Sequence, residues 1–348
     1  MGLLVCCLCG LWANGLPAGA LPAGNAVTNS RTLLRLSLPF DQATLREVDS
    51  ALTAAELDLK RGRSLSSSKG NVQKAHRSLE RQGETILNAV PPAKRQQAAS
   101  HLAALQADIE RLETQLGDRQ KEAATNDINT ALADLERLEE DYLTVFPFQI
   151  PDTYRSLPRL LGRAQVELET TAGTMALTLD GYSAPLTAGN FADLVRQGFY
   201  DGLEFGRVED DYVVQVGDPP GSADGFVDPA TRKLRTIPLE LRPAGESTLL
   251  YGQTFEEAGM WDTNPALPFS AKGTLAMARY ADDANSASSQ FFVFMAEPDL
   301  TPAGLNLLDG RYATFGYITQ GAEVLDKIRK GDRIVKARII SGSENLQG

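Results

Sequence analysis

Arg207 is the side chain whose position most invites a chemical reading. In "GLEFGRVEDDYVVQVGDPPG" (202–221) it follows Phe205 and Gly206 and precedes "YVVQVGD", an alternating run that reads as a buried strand. The commoner fate of such a cation is an exposed ion pair, here with Glu209, Asp210 or Asp211, and such pairs contribute little. The alternative is a functional guanidinium beside an apolar run. Residue types alone leave that question open. His76 and His101 fall in different expected helices without carboxylate–histidine spacing, so both read as surface or packing histidines and no metal site is expected. The acids at 209–211 read as a solvated run.

The three cysteines, Cys6, Cys7 and Cys9, lie within the first nine residues. If that segment is removed, no disulfide or thiolate metal site remains. The stretch "MGLLVCCLCGLWANGLPAGALPAGNA" has a short apolar core and small residues suited to cleavage, although no Lys or Arg precedes them. It reads as an export leader over 1–27, with a mis-called start codon or a lipid-modified cysteine as the competing readings. No other segment approaches the ~18 uncharged residues of a membrane span. The net charge of −11 is uneven: residues 28–150 carry 16 Lys+Arg and 18 Asp+Glu, and residues 151–348 carry 18 and 27. An acidic second half argues against nucleic acid as a partner, since phosphate binding needs a basic footprint.

The elements that must position Arg207 fall into two classes, as 348 residues allow for two domains. Residues 28–145 are helical. Leu45, Val48, Leu52, Ala55 and Leu59 recur at three- and four-residue steps behind Asp41 as cap. Val72, Ala75, Leu79 and Ile86 mark a second helix, ended by "AVPPAK". Leu102, Leu105, Ile109, Leu112 and Leu116 mark a third, and Ile128, Leu132, Leu135, Leu138 and Tyr142 a fourth. Four amphipathic helices with short connections predict an antiparallel four-helix bundle. Residues 146–163, rich in proline and aromatics, read as an ordered linker packing across both domains. From 164 to 342 the period becomes two. "AQVELETTAGTMALTLDG" predicts a hairpin, and strand-like runs recur at 212–216, 248–251, 274–278, 290–295 and 313–318. Helical spacing through Phe191, Leu194 and Val195 ends at Gly198, and another helix is expected at about 321–330. A small antiparallel barrel or sandwich closed by helices follows, with a short tail at 343–348.

Several motifs in this half occur in a telling order: "TAGNFADLVRQGFYDGLEFGRV", "YVVQVGD", "GTLAMA", "SSQFFVF" and "LDGRYATFGYITQGAEVLDKI". Together, over about 180 residues, they resemble the cyclophilins, a family of peptidyl-prolyl isomerases. "DGYSAPLTAGNF", "FYDGLEF", "GFVDPAT" and "LDGRYATFGY" resemble the multidomain branch of the thylakoid lumen in plants and cyanobacteria. The resemblance implies a two-domain α + β protein: the bundle, then a closed antiparallel β-barrel capped by two helices. It implies isomerisation of X-Pro bonds without a cofactor, in the thylakoid lumen or periplasm, on proline-containing client proteins. It also implies a role in photosystem II assembly. Arg207 is then the catalytic cation and Gln215 orients it and the substrate. Phe205, Tyr212, Val213, Ala278, Phe292, Leu307, Leu308 and Tyr312 are the substrate-binding residues.

Departures from the family pattern bear on activity. Tyr212 and Val213 replace the usual Phe and Met, Gly206 the usual His, Leu307 the usual Trp and Tyr312 the usual His. Slow or selective catalysis is expected, or a scaffold that only binds. Residues 219–248 exceed what single-domain members carry, and "TRKLRTIPLEL" predicts an added hairpin near the cleft. This segment, the linker or the bundle is expected to cover the site in part. The loop "RYADDANSASSQ" reads as a rim, and Trp261 as a core or interface residue.

Overall fold

The structure, a computed structural model, describes residues 27–62, 64–143, 145–295 and 307–348. The expected leader, apart from Val27, and its cysteines lie outside the described residues.

Among the described residues the first half contains five α-helices, not four. Helix α1 (Ser30–Ser37) is capped by Asn29, whose side chain accepts from Thr32 N at 3.0 Å. Helix α2 (Ala43–Lys60) begins after Gln42, not Asp41: the Gln42 side chain accepts from Leu45 N at 2.7 Å. Helices α3 (Leu65–Ala89), α4 (Arg95–Gly117) and α5 (Lys121–Glu140) complete the set. The leucine stripes of α2 to α5 face one another in a single apolar core. Tyr142 lies beyond α5 and donates its hydroxyl to Ile86 O at 2.8 Å. The fifth helix was missed because "RTLLRLS" is too short to establish a period, and α1 belongs to a different core.

The second half opens with β1 (Arg159–Leu160), β2 (Arg163–Thr170) and β3 (Gly173–Asp180), then α6 (Pro185–Arg196). Gly198 ends α6 with φ +69°: Phe199 N donates to Leu194 O and Gly198 N to Val195 O, both at 3.0 Å. Next come β4 (Arg207–Glu209), β5 (Val213–Val216), β6 (Glu240–Leu241), β7 (Leu250–Tyr251), β8 (Thr274–Met277), β9 (Phe291–Phe294), β10 (Thr314–Gln320), β11 (Ile334–Ser341) and β12 (Leu346–Gln347). Eight strands form one antiparallel sheet in the order β11-β2-β3-β10-β8-β9-β5-β4. The expected closed barrel is not formed. The sheet is a strongly curled half-barrel, and among the described residues no ladder joins β4 to β11; an isolated bridge between Glu204 and Arg333 is where the two ends meet. Helix α6 packs into the curl through Phe191, which lies 5.0 Å from the rings of Tyr200 and Phe291. The second expected helix is a six-residue 3-10 turn, Ala322–Lys327.

The two halves meet around the C-terminal end of α1. Its apolar side, Leu33 and Leu34, is buried with Leu267, Ala271 and Tyr317 of the sheet half. Leu38 N reaches Arg35 O at 3.1 Å and the Ser37 hydroxyl reaches Leu34 O at 2.8 Å, and the helix end still has acceptor capacity to spare. Guanidiniums from α2, β2 and the residue after β6 add further donors: Arg46 donates to Arg35 O (2.9 Å) and Leu38 O (2.6 Å), Arg163 to Leu34 O, and Arg242 to Ser37 O. Arg163 also lies 2.9 Å from Glu136 and 3.5 Å from both Glu140 and Asp180. The linker aromatics lean on the sheet half: Phe146 stacks on Tyr182, Phe148 lies under Arg242, and Tyr154 meets Tyr251.

Asp180 is fully buried and the Arg163 side chain is 8% exposed. Removing one member of a buried ion group leaves the other charge uncompensated. Arg163→Ala is therefore expected to cost about 3 kcal/mol, read as a lowered calorimetric melting temperature. Alanine at Arg338, whose pair with Glu167 is exposed, should leave the transition little changed.

Candidate functional site

Strand alternation decides which side chains reach the open face of the sheet. Val214, Val216, Leu275, Met277, Phe291 and Val293 turn into the main core. Their neighbours Val213, Ala276, Phe292 and Phe294 turn the other way and cluster with Phe269. The register then aligns one row across four strands: Arg207 opposite Gln215, Gln215 opposite Phe292, and Phe292 opposite Ala276. Residues directly opposite one another share a face. A cation, an amide and an aromatic ring are thus brought side by side.

They line a cavity of about 490 Å³. Its apolar side comprises Val213, Phe292, Leu308 and Tyr312, with Tyr212 and Ala278 at the edges. Phe292 stacks on Phe269 at 6.0 Å and meets Tyr312 edge-on at 5.4 Å. Of ten residues named from the sequence, eight line the cavity. Phe205 does not: it is buried in the main core. Leu307 does not either. Its side chain is 77% exposed and lies at a smaller neighbouring hollow, together with Trp261, which is exposed and not in a core.

Arg207 carries both readings of its sequence. Its side chain is 54% exposed, and Nε and one terminal nitrogen lie 2.8 and 2.7 Å from the same Glu209 oxygen. It lines the cavity as well. Gln215 donates to the Gln290 side chain at 2.8 Å. Gln290 was missed, although it stands two residues before Phe292 and so faces the same way.

The opposite side of the cavity comes from two loops. Residues 279–290, read as a rim, contribute Arg279, Tyr280, Ser286, Ser288 and Gln290; the added segment contributes Asp224 and Leu234. The Tyr280 hydroxyl donates to Asp224, a contact that holds the phenol above its ordinary pKa. Among the described residues, neither the linker nor the helical half lines the cavity; cover comes from the added segment alone. No periodicity announces Asp224 or Leu234, because their positions follow from long-range anchoring. Val227 bridges Leu234, Ile237 bridges Ala287, and β6 pairs with β7. His76 and His101 pair with Glu113 (3.1 Å) and Asp141 (2.7 Å).

Glu240 is the deepest anchor of the added segment. Its fully buried carboxyl accepts from Leu186 N and Thr187 N, both at 2.9 Å, at the start of α6. Burial outweighs those donors and lifts its pKa from 4.5 to about 7. Burial likewise lifts Asp309, from 3.8 to about 7. Both groups hold their protons more tightly folded than unfolded. Their contribution is greatest below about pH 4 and is lost as pH rises to about 7. Urea denaturation should show stability falling across that window, with Glu240→Gln removing its share of the slope.

Two family models match this chain. Residues 165–343 match the cyclophilin-type peptidyl-prolyl cis-trans isomerases, and residues 29–143 match the PsbQ-like domain of CYP38-like isomerases. A relative named as a putative thylakoid lumen peptidyl-prolyl cis-trans isomerase, from Synechocystis sp., is 42% identical over 94% of this chain and 86% of its own. The chloroplastic isomerase CYP38 of Arabidopsis thaliana is 39% identical over 94% of this chain and 77% of its own. A crystal structure of a cyclophilin-type isomerase of Cryptosporidium parvum aligns with 51% of this chain and 99% of its own, at 22% identity and a TM-score of 0.38.

Proposed function

The chain belongs to the cyclophilin-type peptidyl-prolyl cis-trans isomerases, and from that premise we propose that it turns X-Pro bonds of lumenal client proteins at the Arg207 cavity. The observation that carries this reading is the row Arg207–Gln215–Phe292, which sets a guanidinium and an amide beside an apolar pocket. Rotation about the X-Pro bond must overcome ~18–20 kcal/mol of amide resonance, and no nucleophile is required. A donor aimed at the prolyl nitrogen favours the twisted, less conjugated state over the planar ground state, and each ~1.4 kcal/mol of that difference is tenfold in rate. Val213, Phe292, Leu308 and Tyr312 hold the proline ring, with Tyr212 and Ala278 at its margin. Gln215 holds the peptide backbone against Arg207.

In this reading the isomerase domain is residues 164–342, including the added segment at 219–248. It follows a helical domain (28–145) and a linker (146–163), with a cleaved leader (1–27) and a tail (343–348) at the ends. The thylakoid lumen is the proposed compartment, because two relatives that cover nearly the whole chain are named as a lumenal and a chloroplastic isomerase. Photosystem II subunits are proposed clients, in keeping with the PsbQ-like helical half.

The Glu209 contact favours a second reading, in which the cavity binds prolyl segments and turns them slowly. An ion pair on Arg207 competes with the substrate for its donors. NMR exchange on a short Ala-Pro peptide separates the two. Catalysis predicts that Arg207→Ala lowers kcat/KM by about a hundredfold, and that Glu209→Gln, which frees the guanidinium, raises it severalfold. Unchanged turnover in both variants, with binding retained, would leave the binding scaffold.

A further inference from the structure

A second cavity, of about 780 Å³, opens at the joint between the two halves and shares no lining residue with the Arg207 cavity. Its apolar wall includes Leu33, Leu36, Leu38, Phe40, Phe148 and Pro265, drawn from α1, the turn before α2, the linker and the loop before β8. The wall of the sheet half is fixed. Ala266 N donates to Arg242 O and Ala244 N to Asn264 O, both at 2.8 Å, and Pro243 bridges Pro265. Cavities of this size between domains, apolar with a few fixed polar groups, are where small ligands bind.

Two guanidiniums border it. Arg46 lies over the Phe40 ring at 4.0 Å and Arg242 over the Phe148 ring at 5.4 Å, and all four residues line the cavity. Arg46 engages Arg35 O and Leu38 O. Arg242 is less well matched. It is 6% exposed, and its Nε is buried with no acceptor among the described residues. One terminal nitrogen reaches Ser37 O, and Ser183 Oγ at 3.0 Å. Asp180, the acid that favours its charge, is instead engaged by Arg163 at 3.5 Å and by the hydroxyls of Ser37 (2.8 Å) and Ser183 (2.9 Å). Burial lowers the Arg242 pKa from 12.5 to about 10, so the group is still a cation at neutral pH. A buried charge is costly until an opposite charge meets it, and a carbonyl and a hydroxyl answer only part of a five-donor fork.

We propose that this cavity binds an amphiphile with one aliphatic chain and a carboxylate head, the head at Arg242 and Arg46 and the chain along Leu33, Leu36 and Phe148. The proposal is independent of the prolyl reading of the Arg207 cavity. A carboxylate presents two oxygens to a guanidinium fork, and the chain gains by leaving water for the apolar wall. Asp41 and Glu246 also line the cavity, but both are exposed, where solvent screens them. They still disfavour a head of higher charge, such as a phosphate monoester at about −1.5 to −2. An alcohol head lacks the charge that Arg242 calls for, and an ammonium head would meet two guanidiniums.

The test is calorimetric titration of the full chain at neutral pH with octanoate, decanoate and dodecanoate below their micelle concentrations. Affinity should rise about tenfold for each two methylenes added. Dodecanol, dodecylamine and dodecyl phosphate should each bind at least about tenfold more weakly than dodecanoate. Arg242→Gln should weaken dodecanoate about tenfold and leave dodecanol unchanged, which loss of the fold would not do. Leu36→Glu, at a half-exposed position, should weaken dodecanoate about tenfold with the melting temperature unaltered, and it decides the matter where Arg242→Gln fails to fold. An excess of Ala-Pro peptide should not compete. Absence of dodecanoate binding would overturn the site, as would indifference to Leu36→Glu or displacement by the peptide. Dodecanol or dodecylamine matching dodecanoate, or dodecyl phosphate exceeding it, would overturn the carboxylate assignment.

Discussion

The cavity exists because four short antiparallel strands keep one register. Arg207, Gln215, Phe292 and Ala276 are neighbours across the sheet although they are distant in the chain. A slip of one residue in β5 would send Gln215 into the core and Val214 or Val216 onto the open face. The core forbids that slip, since Val214, Val216, Phe291 and Val293 are all buried against α6 and the rest of the curl. The apolar interior thus specifies the polar site: hydrophobic burial selects the register, and the register places the guanidinium. Gly217, at φ +105°, ends β5 where a Cβ would lie 2.4 Å from Ser289 O, which keeps β5 tight against the chain entering β9.

Around this row the chain spends its added residues. The cavity is rimmed by a segment that fastens itself at Glu240, Ile237 and Val227 and brings Asp224 against Tyr280. Arg207 is partnered by Glu209 rather than left free. Both features add polar contacts at the rim of the cavity.

Much of this was legible in the sequence, and the failures have physical causes. The leucine stripes of α2 to α5 and the alternation in β5, β8 and β9 announce themselves, since burial on one face imposes a period. Arg207, Gln215, Phe292 and the other pocket walls followed from motif order. Leu307 was misplaced because it occupies a position that carries a pocket residue elsewhere in the family, while here the turn directs Leu308 inward instead. Phe205 was named from the family resemblance, yet its side chain is in the main core. Asp224, Leu234 and Tyr280 left no periodic trace. Helix α1 was invisible as a separate element, because eight residues cannot display an amphipathic repeat. Barrel closure was overestimated because strand count says nothing about whether the first and last edges meet.

The position of α1 in the chain has a consequence for the order of assembly. Eight residues make a marginal helix in water, and this one is held by groups that follow it by more than a hundred positions: Arg163, Arg242, Leu267 and Tyr317. Emerging early from a ribosome or a translocation pore, it can pair at once with α2 through Arg35–Asp49 and Arg46, but its Leu33–Leu34 face finds no seat until most of the sheet has been delivered. The bundle can condense on its own leucines in the meantime, but the seam between the halves is a late event with a high loop-closure cost. Until then the Leu33–Leu34 face waits uncovered. The stretch of polypeptide most in need of shelter during biogenesis is therefore the one that the finished molecule buries at its joint.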